Sequence, residues 1–170
     1  MPRIIVSPVT HIDKVTRDHD PSYIVSLIGE EFMPPTPSGY DPDRHIKLAM
    51  QDIHTPQDGM IMPGEDHARR VIDIAAQWDQ QKPLLVHCWA GVSRSGAAAL
   101  ITLAVLNPGR EVEAGQHMRA CSPWARPNPA LIEAADKLLG TRGRLVNAAL
   151  KMGPGNVDLH GRPYDIPLVF

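Results

Sequence analysis

A chain of 170 residues with a formal net charge of −2 carries no electrostatic footprint for nucleic acid or for an anionic membrane surface. Its two cysteines, Cys88 and Cys121, exclude a disulfide framework and a paired-cysteine zinc site. An ordinary apolar content suits one folded domain over residues 1–170, and "MPRIIVSPVTHIDK" has too short an apolar run for a signal peptide, so a cytoplasmic, reducing location is expected.

In chain order, "RIIVS" (Arg3–Ser7) is predicted to form the first strand. Thr10 with Asp13 makes a capping-box pattern, which predicts a short helix through Val15. "YIVSLIG" (Tyr23–Gly29) reads as a second, buried strand, and the Pro-, Gly- and Asp-rich "FMPPTPSGYDPDRH" (Phe32–His45) as a loop. "IKLAM" (Ile46–Met50) predicts a third strand. In "EDHARRVIDIAAQW", Ala68, Val71, Ile72, Ala75 and Trp78 recur at helical spacing behind two first-turn acids. "PLLVH" (Pro83–His87) predicts the fourth strand. From Arg94 onward, "SGAAALITLAVL" is too apolar for a surface helix and is expected to be buried, ending at "NPG". Further helical patterns follow, with Asn128 and Pro129 as a start and Gly140 and Gly153 as stops. Residues 152–170 read as an extended tail whose "DIPLVF" packs back onto the domain or onto a second subunit. Strands alternating with helices imply an α/β fold: a central, mostly parallel sheet of four to five strands flanked by helices.

The stretch "LLVHCWAGVSRSG" (Leu84–Gly96) lies between the last of these strands and the buried helix. Ligands of parallel sheets bind beyond the carboxyl ends of strands. A helix N-terminus there presents unpaired N–H groups and a positive dipole end, and successive loop amides can form a concave anion nest. Arg94 adds a planar fork of donors for two oxygens at once. The same positive field favours the thiolate of Cys88, which is the nucleophilic form. An isolated cysteine at a strand end is usually a small core residue. The spacing His-Cys-x-x-Gly-x-x-Arg-Ser, with five residue types at set offsets, outweighs that reading here.

"HCWAGVSRS" resembles the signature of the cysteine-dependent protein tyrosine and dual-specificity phosphatases, whose Cys-x5-Arg segment is a phosphate-binding loop. The resemblance extends more loosely over about Ile46 to Leu139. It implies a two-step hydrolysis of phosphomonoesters through a phosphocysteine on Cys88. Arg94 and the loop of Trp89, Ala90, Gly91, Val92, Ser93 and Arg94 would hold the phosphate oxygens. Ser95 would donate a hydrogen bond to the sulfur, and His87 would support the loop from behind. The partner implied is a phosphorylated protein or a small phosphomonoester, with no nucleic acid and no membrane. No cofactor and no metal are expected.

The departing oxygen needs a proton, hence a carboxylic acid opposite the loop. The candidates are Asp52, Asp58 and Asp66. Asp66 suits a helix start, and Asp58 before Gly59 suits a turn. Asp52 follows the third strand, where the family resembled carries its acid, so the acid is assigned to Asp52 with Asp58 as the alternative. Trp89 either lines the pocket mouth or points into the sheet. The loop has no lysine, which argues against multiply phosphorylated inositol lipids, and phosphotyrosine is preferred over a broader specificity. Two other function classes stay open: an inactive phosphate-binding module, and a Cys-x5-Arg redox enzyme akin to arsenate reductases or rhodaneses, for which Cys121 is the only second thiol.

Overall fold

The computed structural model describes residues 2–170. Among these residues run five strands and six α-helices: β1 (Arg3–Pro8), α1 (Ile12–His19), β2 (Tyr23–Ile28), β3 (His45–Ala49), α2 (Glu65–Gln77), β4 (Leu84–Cys88), α3 (Arg94–Leu106), α4 (Glu111–Cys121), α5 (Pro129–Leu139), α6 (Arg144–Lys151) and β5 (Tyr164–Pro167). The sheet order is β3-β2-β4-β1-β5. Strands β1 to β4 are parallel where they pair, and β5 joins the β1 edge antiparallel.

Alternation along each strand sends neighbouring side chains to opposite faces. Ile4, Val6, Val25, Leu27, Leu84 and Val86 enter the larger core beneath α2 to α6. Ile5, Ile24 and Leu85 enter a smaller one with Ile12 and Val15 of α1 and with Tyr40. Apolar residues on both faces are what buried parallel strands require. Helix α3 lies at the centre of the larger layer, buried continuously from Arg94 to Ala104, as its unbroken apolar sequence demands.

Three expectations need correction. The Thr10–Asp13 capping box does not form: the Thr10 hydroxyl lies 3.0 Å from the His11 ring, a 3-10 turn covers Val9–His11, and α1 then runs past Val15 to His19. The Phe32–His45 loop gives up His45 to β3 and contains the 3-10 turn Pro42–Arg44. The tail is not merely extended. It makes a 3-10 turn at Val157–Leu159 and then β5, so β4 is not the last strand. Alternation in "YDIP" buries Tyr164 and Ile166, and Tyr164 meets Trp124 edge to face at 5.5 Å. The tail therefore packs back onto the domain.

Candidate active site

Strand β4 delivers Cys88 to the carboxyl edge of the sheet, paired in register with Pro8 of β1. The chain must turn at once to enter α3, and Gly91 makes the turn with φ +71°. A Cβ at Gly91 would stand 2.9 Å from the backbone of both Ser7 and Pro8, so the loop lies directly on β1 and only glycine fits. The outward carbonyls of the loop are held from outside. The Arg126 amide donates to the Val92 carbonyl at 3.1 Å, the Asn128 amide to that of Ser93 at 3.1 Å, and the Val9 amide to that of Trp89 at 3.2 Å. With the carbonyls committed outward, the amides of Ala90 to Ser93 donate to no acceptor among the described residues. Together with the α3 N-terminus they offer free donors suited to an anion.

Buried Ser95, one turn into this site, places its hydroxyl 3.1 Å from the Cys88 sulfur. Arg94 is buried as well. One terminal nitrogen donates to the Met50 carbonyl at 2.9 Å, while Nε is buried without a partner among the described residues. The fork is anchored at one corner and retains donors for an anion. Asp52 follows β3 after two residues, and its Oδ1 accepts from the Ser93 hydroxyl at 2.7 Å and from the Asn128 amide nitrogen at 3.0 Å. The Asn128 side chain also donates to the Ile53 carbonyl at 3.1 Å. These bonds pin the loop after β3 onto the loop between Cys88 and Arg94. Asp52, Cys88 and Arg94 line one cleft of about 310 Å³ with Trp89, Ala90, Val92 and Ser93. Asp58 lies elsewhere, at the exposed tip of a turn closed by the Met60 amide on the Gln57 carbonyl, and Asp66 sits exposed in the first turn of α2.

His87 precedes Cys88 and so faces the opposite side of the sheet. It is fully buried, and its Nδ1 lies 3.4 Å from the Cys88 carbonyl. A carbonyl only accepts, so Nδ1 carries the proton and Nε2 accepts from the Ser26 hydroxyl at 2.5 Å. Ser26 must then accept from His45 Nε2 at 2.7 Å, and His45 Nδ1 accepts from the Thr36 hydroxyl at 2.9 Å. One direction of donation thus runs from the Pro-rich connection through β3, β2 and β4 to the carbonyl of Cys88. Burial pushes both imidazoles down to about 4, with Lys47 adding to the effect at His45 and Arg94 at His87.

Trp89 is exposed at the cleft mouth and meets Phe32 edge to face at 4.9 Å. It does not point into the sheet. Cys121 closes α4 half-buried, its thiol pushed up by burial and its sulfur 3.9 Å from His117 Nε2. Several residues of the site escaped the sequence reading. The loop pattern marks Ser93 only for its backbone amide, and Asn128 reads only as a helix start. Asn128 does cap α5, accepting from the Leu131 amide at 3.1 Å, and its other end reaches Asp52. Val157 and His160 of the tail also line the cleft, and no local pattern marks them. Ser26 and His45 were readable in principle, as polar residues inside buried parallel strands.

No family model and no curated protein matches the chain. Solved structures do. DUSP15 is similar over 91% of this chain and 96% of its own, with TM-score 0.63 and 17% identity. PTPMT1 is similar over 89% and 96%, with TM-score 0.62 and 15% identity, and has also been solved in complex with PI(5)P. The PTP-2 phosphatase of Cydia pomonella is similar over 78% and 83%, with TM-score 0.57 and 19% identity. The mostly parallel sheet and its flanking helices give this chain the fold that these phosphatase structures share.

Proposed function

We propose that the chain is a protein phosphatase of the tyrosine/dual-specificity type, hydrolysing phosphomonoesters through a phosphocysteine. The observation that carries this reading is the convergence of Cys88, Arg94 and Asp52 on one cleft, with the Ser95 hydroxyl 3.1 Å from the sulfur. In the first step the Cys88 thiolate attacks phosphorus, the P–O bond to the leaving group breaks, and protonated Asp52 gives its proton to the departing oxygen. Arg94 and the loop amides hold the three equatorial oxygens as charge redistributes. In the second step the Asp52 carboxylate takes a proton from water, which attacks phosphorus. The P–S bond breaks, inorganic phosphate leaves, and the Ser95 O–H hydrogen bond stabilises the returning thiolate. Both roles for Asp52 are supported by its hydrogen bonding: Oδ1 is held by Ser93 and Asn128, while Oδ2 makes no hydrogen bond among the described residues. The cycle needs Cys88 reduced, which a reducing compartment such as the cytoplasm supplies.

Asp52→Asn tests the assignment of the acid. Turnover of phenyl phosphate should fall about a hundredfold or more, that of an ester with a good leaving group such as p-nitrophenol much less, and the dependence on a protonated acid should disappear. The same pattern from Asp58→Asn, with Asp52→Asn unaffected, would overturn it.

A further inference from the structure

The cleft that holds Cys88 has a second lobe of about 290 Å³ sharing Asp52, Trp89 and Arg94 with the first. Its outer wall is the exposed Phe32–Trp89 pair, and its far end is Glu31. The Glu31 carboxylate folds back over the end of β2, so close that a Cβ on Gly29 would stand 2.6 Å from Oε2. Gln51 orients it. The Gln51 side-chain oxygen accepts from the Ile61 amide at 2.6 Å, which turns its NH2 toward Glu31 Oε2 at 3.4 Å. No lysine, arginine or histidine pairs with Glu31 among the described residues.

An unpaired carboxylate beside the loop works against the attraction of Arg94 for an entering dianion, and a cation carried by the substrate offsets that cost. The exposed Phe32–Trp89 pair next to it offers that cation a second attraction. We propose that this lobe is a cation subsite, making the preferred substrate a phosphomonoester that carries a guanidinium or ammonium group beside the phosphate. A phosphotyrosine with a neighbouring basic residue has this chemistry, whereas a substrate with a second phosphate has the reverse. The inference rests on the phosphatase reading and deepens it.

The test measures kcat/KM on matched phosphotyrosine peptides carrying Arg, Gln or Glu on both sides of the phosphotyrosine. Each value is divided by that variant's own rate on p-nitrophenyl phosphate. Free phosphotyrosine against its N-acetyl form asks whether a small molecule's ammonium serves as well. The order Arg above Gln above Glu is expected, with an Arg-to-Glu ratio of about tenfold or more at low salt, shrinking at high salt. Glu31→Gln should bring that ratio below about threefold. A flat peptide order, or an order unchanged by Glu31→Gln, overturns the subsite while p-nitrophenyl phosphate turnover leaves the phosphatase reading intact. Should the folded, reduced protein turn over nothing, the phosphatase reading fails, and calorimetric titration of the same peptides decides the subsite alone: the Arg-first order supports it and equal affinities overturn it.

Discussion

At the scale of single residues, the site depends on atoms whose neighbours admit no substitute. Gly91 is the sharpest case, because a left-handed φ and a 2.9 Å approach to the β1 backbone coincide there. Gly91→Ala must either strain that turn or lift the loop from Ser7 and Pro8. Lifting it displaces the amides of Ala90 to Ser93, which in the proposed mechanism hold the phosphate oxygens. We expect kcat/KM on p-nitrophenyl phosphate to fall at least about a hundredfold, the scale that follows from misplacing reacting groups by an ångström. Wild-type kinetics in a folded Gly91→Ala protein would contradict the loop geometry. Polar residues around the site act in pairs. The side chains of Ser93 and Asn128 meet at Asp52, and Ser26 joins the two buried histidines. Neither pairing could be read from its local sequence, since each partner lies 19 residues or more away in the chain.

Elements that position the site show where pattern reading succeeds. The apolar runs of β1, β2 and β4 and the uninterrupted α3 were legible, because burial on both sides leaves no room for polar residues. Asn128 with Pro129 was legible as a helix start for the reason that Asn128 caps α5. The Thr10–Asp13 box misled because the Thr10 hydroxyl found a ring nitrogen next door instead of a backbone N–H. Helix α6 escaped any local account of its start. It has eight residues and no N-cap side chain of its own, too little to be stable alone. Its cap comes from α5: the Asp136 carboxylate accepts from the Thr141 hydroxyl at 2.7 Å and from the amides of Gly143, Leu145 and Val146 at 2.8 to 3.3 Å. Burial alone would raise this carboxyl, but those hydrogen bonds hold it below the usual range. Asp136→Ala should cost about 3 kcal/mol in urea unfolding, by leaving three amides unpaired at a helix N-terminus. A loss under about 0.5 kcal/mol would show that α6 is held by packing alone.

The whole molecule couples its active face to its stability through the smaller layer of the sheet. Ser26, His45 and His87 share the face opposite the Cys88 side chain, and neither histidine can be protonated without breaking the one-way run of hydrogen bonds. Their ordinary value is 6.5 and the fold holds both at about 4, so below 6.5 the unfolded chain binds protons that the native state refuses. Stability from these groups is complete above about pH 6.5 and is lost as the pH falls toward 4. The loss is on the order of 2 kcal/mol per histidine by pH 4.5. The groups facing them are Thr36, Ser26, Lys47 and Arg94. Imidazole NMR titrations should show two histidines still neutral at pH 5.5 in the folded protein. Two buried rings titrating near 6.5 would rule this out. The C-terminal segment belongs to the same scale. Residues 157–167 complete the sheet and lend Val157 and His160 to the cleft, a role invisible in sequence because the partner strand lies at the other end of the chain. All of this geometry serves the claim that Cys88 attacks phosphorus. The most direct test is hydrolysis of p-nitrophenyl phosphate by reduced protein in the presence of a chelator, wild type against Cys88→Ser. The account predicts turnover that survives the chelator and disappears with the substitution. Turnover that persists in Cys88→Ser, or none from the folded wild type, would contradict it.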